Sequence, residues 1–277
     1  MEAPRRIRDG LSQEFELMQP VPERVFISVA ALLFVVSAAA TIAWCGAMNS
    51  MAGMEMPGRW TMSMAWMRMP GQSWPGAAGS FLGMWILMMV AMMLPALVPM
   101  LRRYRASVAP VAGLRLGLLT LMVGVAYFSV WALSGGIAFL FGVTFATFAM
   151  QSPELARVVP VAAALIVVSG GALQFTAWKS RQLDCCNKTP ASGATLAADA
   201  RTAWSHGLRL GVYCCRCCAG LTAILLAVGV MDLSVMAIVT AAISLERLAP
   251  AAERVARGIG AVVVAAGMFQ LMRAIGG

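Results

Sequence analysis

Long apolar runs, broken by short Arg-bearing polar stretches, set the pattern of this chain. A run of about 18 or more residues with few charges reads as a helix that crosses a bilayer. Residues 25–45, 81–101, 114–133, 158–178 and 207–230 meet that description. Residues 233–245 predict a short sixth span after the tight Met231-Asp232 junction, with Asp232 as its cap. Residues 258–272 predict a seventh, short and Gly-bearing. Ser134-Gly135-Gly136 marks an end to the third run. The following apolar stretch, 137–150, is too short to cross and is expected to be interfacial or re-entrant. The predicted fold is therefore all-α: a polytopic membrane helix bundle of about seven spans plus one short interfacial or re-entrant helix. One membrane domain, 25–277, follows a polar lead-in, 1–24. It carries a loop rich in Met, Gly, Pro and Trp at 46–80 and a polar loop at 179–205. The run at 25–45 is longer than the apolar core of a cleaved signal, so it is expected to remain as a helix.

Composition supports this reading. Apolar residues make up 60% and charged residues 12% of the chain, against about 25% charged in soluble domains. The net charge of +9 lies between apolar runs instead of forming a nucleic-acid footprint, so the bilayer is the expected partner. With the N-terminus inside, sixteen of the 21 Lys and Arg fall on the cytosolic side. Only Arg59, Arg68, Arg157 and Arg273 fall outside, and Arg216 lies within the membrane. This bias predicts a multi-pass protein of the cell's inner (plasma) membrane with a cytosolic N-terminus and a cytosolic 179–205 loop.

Two concentrations of sulfur then narrow the chemistry. Tyr213-Cys214-Cys215-Arg216-Cys217-Cys218 puts four thiols and a guanidinium inside the fifth span. Residues three and four apart share a helix face, so Cys214 faces Cys217 and Cys218, while Cys215 points about 100° away from Cys214. Thiolates are soft ligands. A reducing compartment favours metal ligation over a structural disulfide. Arg216 is costly within the membrane; facing the thiols, its charge would favour the thiolate. The alternative is that it snorkels to the surface. Cys186, in the 179–205 loop, is a further candidate ligand.

Residues 48–100 hold 14 of the 22 methionines. Met84, Met88 and Met92 recur every four residues on one face of the second span, beside Met89 and Met93. Met51 and Met54 belong to the loop, which is expected to have no core to fill. Thioethers suit Cu(I) and need no deprotonation. In a lipid-facing helix such a stripe is also simple apolar filler. His206, the lone histidine, sits at the mouth of the fifth span, either solvated or as a ligand. Glu246 can pair with Arg247, Lys179 or Arg216. There is no phosphate loop, no paired catalytic carboxylates and no Ser-His-Asp pattern, so no catalytic residue is assigned.

Met84-Trp85 through Met88-Met89 and Ala91-Met92-Met93-Leu94-Pro95 resembles the MW-x-x-MM-x-AMMLP segment of the predicted metal-binding integral membrane proteins, a family of unassigned function. His206-Gly207, the C-x-x-C-C of Cys214, Cys217 and Cys218, Gly229-Val230-Met231 and Glu246-Arg247 follow the same pattern in order. The resemblance spans about 84–260 and implies metal binding. The chain departs from it in places. The family's loop motif K-x-x-C-L-x-x-C here has Gln182 in place of its first cysteine, and Cys185 is extra. Arg216 replaces a small residue, Ala219 a Trp, and Asp232 an Asn.

The expected function is binding of a soft metal, Cu(I) before any other, for transport or delivery to a metallochaperone or metalloenzyme partner. Loop methionines would capture the ion, the stripe would carry it inward, and Cys214, Cys217 and Cys218 would receive it, with Cys186 at the exit. The alternatives are a membrane thiol–disulfide electron carrier and an assembly factor without metal.

Overall fold

The computed structural model describes residues 23–49, 53–58, 60–68, 71–108, 111, 113–188 and 195–276. The lead-in up to residue 22 and the candidate ligand Met51 lie outside these described residues. The elements run α1 (Glu23–Asn49), β1 (Met54–Met56), β2 (Trp60–Met62), a 3-10 turn (Met64–Trp66), α2 (Trp74–Ser107) and α3 (Gly113–Gln151). Then come α4 (Pro153–Leu173), α5 (Ala177–Lys188), α6 (Ala200–Val228), α7 (Leu233–Leu248) and α8 (Ala252–Gly276). Six of these helices, all but α5 and α7, are long and apolar enough to cross a membrane. Leu32, Leu121, Phe141 and Val262 stand exposed on their outer faces, as a hydrocarbon solvent allows.

The central helix is α2. Its most apolar window is 61% buried, against 11% for α1 and for α8. Ser73 caps it, its Oγ accepting from the Gly76 amide at 3.3 Å, and Pro75 occupies the first turn, where no amide is needed. The helix continues through Pro95 and Pro99, because neighbouring helices in a bundle shelter the backbone that proline disturbs. Arg102 near its far end pairs with Glu23 at the start of α1, so these two helices run antiparallel.

The expected break after the third run does not occur. Residues 137–150 continue α3, which is one helix of 39 residues. Gly135 serves packing: a Cβ there would come within 2.3 Å of the Trp85 ring. That ring sits against α3 and donates its Nε1–H to the Trp131 carbonyl at 2.9 Å.

The 179–205 stretch is also not a loop throughout, since Ala177–Lys188 forms α5. Lys179, Leu183 and Cys186 are all buried at i, i+4 and i+7, the spacing of one helix face. Near its other end, Asp199 caps α6 by accepting from the Thr202 amide at 2.9 Å, so that helix begins seven residues before the predicted span.

Nor is the Met-rich segment without a core. The β1–β2 hairpin pairs Met54 with Met62 and Met56 with Trp60. Met56 and Met62 are buried against Ala146, Ala149 and Ala156, and Trp60 Nε1 donates to the Ala156 carbonyl at 2.9 Å. The alternation of a strand sends these methionines inward, where they pack as ordinary apolar side chains. Asp232 caps α7 as expected, its Oδ1 accepting from the amides of Ser234 and Val235.

What positions the thiols is the approach of α6 to α3. A Cβ on Gly207 would stand 2.4 Å from the Val123 carbonyl oxygen, and one on Gly211 would stand 2.9 Å from that of Tyr127. Small residues allow such backbone contact where packing alone holds membrane helices together. Gly207→Ala should therefore lower unfolding stability by about 1–3 kcal/mol. Gly124→Ala, where nothing stands near the added carbon, should leave it unchanged or slightly raised. Unfolding titrations in mixed micelles read both, and equal stability of the two variants would contradict the packing.

Candidate metal centre

Gly207, Gly211, Cys214 and Cys218 fall at i, i+4, i+7 and i+11 on α6, so the face that meets α3 also carries two thiols. Cys214, Cys217 and Cys218 are buried, as is Cys186, which arrives from α5. The Tyr127 hydroxyl on α3 donates to Cys214 Sγ at 2.8 Å. Met93 Sδ on α2 lies 3.9 Å from the same sulfur. Cys218 is in hydrogen-bonding reach of both Cys214 and Cys217, and Cys217 of Cys186. The sulfurs thus run in a chain, Met93–Cys214–Cys218–Cys217–Cys186, drawn from α2, α6 and α5.

Cys215 is only partly buried and lines a different groove, beside Ala219 and Thr222. Its sulfur stands apart from the chain, as the 100° step along a helix requires.

The cation at the thiols is not Arg216. That side chain is exposed, because the glycine-marked contact with α3 turns its position outward. Arg247, near the end of α7, takes the place instead. Its Nη2 lies 3.4 Å from Cys186 Sγ and 3.8 Å from Cys218 Sγ, and its Nη1 lies 3.8 Å from Met100 Sδ. A second buried cation lies alongside. Lys179 Nζ is 2.7 Å from Glu246 Oε2 and 2.8 Å from the Cys217 carbonyl. Gln174 Nε2 donates to the other carboxylate oxygen at 2.8 Å. Among its possible partners, Glu246 thus chooses Lys179.

Outside the spanning helices, two electrostatic effects are clear. The bond from Cys217 holds the Cys186 thiol below its ordinary range; burial opposes this and Arg247 reinforces it. Burial works against the Lys179 charge, yet the anionic partners around it prevail and its pKa is raised.

Met84, Met88, Met89, Met92 and Met93 are all buried in the main core, so the stripe faces protein, not lipid. Met54 is 42% exposed, on the hairpin and away from the thiols. His206 lies two turns before Cys214, buried and stacked on Tyr104 with ring centroids 5.2 Å apart. It is neither solvated nor at the sulfur chain.

Tyr127, Met100 and Gln174 were absent from the predicted site, and Lys179 and Arg247 appeared there only as possible partners of Glu246. A tyrosine amid the apolar third run and a lysine at i−7 from a cysteine were the available signals.

Residues 82–270 match the PpoB2 family, described as copper chaperones. The chain belongs to this family. No curated protein and no solved structure matches it. The family description points to a copper-related role, and the donor set suits that metal: thiols and a thioether are soft ligands, with a buried guanidinium beside them. Among the described residues no three His, Cys, Asp or Glu side chains already surround a single point. The sulfurs stand in file, and gathering them around one ion takes rotamer changes.

The ion pair gives a direct test. Lys179→Met strands a buried carboxylate and should cost about 3–5 kcal/mol. Adding Glu246→Leu removes the stranded charge and should recover most of that loss. A double-mutant cycle on unfolding free energies checks this, and simple additivity would contradict the coupling.

Proposed function

We propose that this chain receives Cu(I) on methionine sulfur, passes it along the buried face of α2 and holds it on Cys214, Cys217 and Cys218. Cys186 stands at the exit, from which a metallochaperone or metalloenzyme takes the ion. The observation that carries this reading is the 3.9 Å contact between Met93 Sδ and Cys214 Sγ. It joins the thioether face to the thiol chain, so an ion can exchange sulfur ligands one at a time without leaving a soft environment. The family match supports copper as the cargo.

Arg247 fits this role. A lone Cu(I) on two or three thiolates carries net negative charge, and burying that charge away from water is costly unless it is compensated. The guanidinium supplies the compensation without competing as a ligand, having no free lone pair to offer.

Metal content and thiol titration on purified protein test the assignment. Wild type should bind copper with loss of free thiols. Cys214→Ser or Cys218→Ser should cut Cu(I) affinity by about tenfold or more, since a protonated hydroxyl is a poor soft-metal ligand. Cys215→Ser should leave it near wild type. Copper-free protein with a cysteine pair that cycles between thiol and disulfide would instead support an electron carrier.

The direction of delivery follows from the basic bias, which puts the N-terminus and α5 in the cytosol. Cys185 is the exposed cysteine of α5 and reports on this. An impermeant thiol reagent should label it in inverted vesicles but not in intact cells. Rapid labelling of intact cells would reverse the path.

A further inference from the structure

At the opposite end of α2 from Arg102, a cavity of about 160 Å³ opens among α1, the segment after the 3-10 turn, α2 and the α6–α7 turn. Each of these four pieces of chain contributes a methionine to its wall: Met48, Met67, Met84 and Met231. Behind Met231 the buried thiol of Cys45 lies 3.9 Å from its sulfur. The remaining wall includes the Trp44 and Phe81 rings and, for polarity among the described residues, Gln72 and Ser80. Among the described residues no charged side chain lines it.

We propose that this cavity is a second metal site, a capture site for Cu(I) built from Met48, Met67, Met84 and Met231. The proposal rests on the copper-carrying reading above and adds the place where the ion enters.

The chemistry of the wall selects the ion. Thioethers are neutral and stay unprotonated, so they bind a soft monovalent cation without proton competition. A hard divalent cation demands carboxylate or several carbonyl oxygens, and the described wall offers none of the former. Packing alone does not account for the arrangement. A methionine used as filler closes a gap, whereas here four of them surround a void that stays open. At roughly 10–15 Å³ of probe volume per water, the void has room for an ion together with the waters it must shed. The aromatic rings add a favourable face for a cation.

Met84 connects the cavity to the rest of the path. It belongs both to this wall and to the buried methionine face of α2. Met93, whose sulfur touches Cys214, lies nine residues further on, about 14 Å along the axis at 1.5 Å per residue. Neutral ligands at the start and thiols at the end give a gradient of affinity, weak where the ion is taken up and tight where it is held.

The test uses the full chain in nanodiscs under anaerobic conditions, titrated with Cu(I) against a chromophoric chelator. Three proteins are compared: wild type, Met48→Leu/Met67→Leu/Met231→Leu, and Cys214→Ser/Cys217→Ser/Cys218→Ser. Wild type should show a tight and a weaker equivalent. The methionine variant should lose only the weaker one and fill the thiols at least tenfold more slowly at substoichiometric copper. The cysteine variant should keep only the weaker one. Copper absorption spectra of that variant, grown with selenomethionine, should then show selenium in the metal's first shell. A methionine variant that retains both equivalents and the wild-type rate overturns the capture site, as does bound copper with no selenium neighbour. A methionine variant that misfolds leaves the selenium measurement to decide. If the cysteine variant matches wild type in both equivalents while selenium is seen, the capture site stands and the thiol reading falls.

Discussion

The ammonium of Lys179, held between the Glu246 carboxylate and the Cys217 carbonyl, is the contact on which the arrangement of the sulfur chain depends. It ties three helices together at one atom: α5, which brings Cys186; α6, which brings the other thiols; and α7, which brings Arg247. Gln174, just beyond α4, adds a fourth piece of chain through the second carboxylate oxygen. Both partners of the pair are almost wholly buried, with 4% and 1% of their side chains exposed. Burying such charges is costly, and neither can be left alone. The pair is therefore a weak source of net stability but a strict specification of geometry. The docking of α5 that satisfies it also delivers a thiol, Cys186.

Around this anchor the electrostatics divide by hardness. The hard carboxylate takes the hard ammonium, which leaves the diffuse charge of Arg247 to face polarizable sulfur on Cys186, Cys218 and Met100. Had Glu246 paired with Arg247, the thiols would have lost their counter-charge. A planar guanidinium is also less strongly hydrated than an ammonium and is the less costly of the two to hold among apolar side chains.

The helices were legible in the sequence because a bilayer demands long apolar runs, and every such run appears as a helix. The thiol face was legible too, since helical spacing alone sets Cys215 apart from Cys214 and Cys218. What sets the absolute orientation of that face is Gly207 and Gly211, and they lie on the same stripe as the two cysteines. Read as packing residues, they would have turned Arg216 outward at once. The misreading of 137–150 has the same root: Gly135 looked like a helix end but makes room for Trp85. The pairing of Lys179 with Glu246 joins residues 67 apart, across three helices, and no local pattern announces it. The hairpin stayed hidden because two strands of three residues, built largely from methionine, resemble a loop.

The shortness of α7 bears on how the protein is made. Its 16 residues span about 24 Å, less than the roughly 30 Å of hydrocarbon that a lone spanning helix must bridge. It also carries Glu246 and Arg247 near its end, charges that oppose partition into lipid. Such a segment is a poor substrate for insertion by itself. The turn at Gly229–Asp232 attaches it to α6, so the two form one helical hairpin. Its charges find their partners only once α5 has folded back against α6. Charge neutralisation and completion of the sulfur chain therefore coincide: the docking that brings Lys179 to Glu246 also brings Cys186 to Cys217.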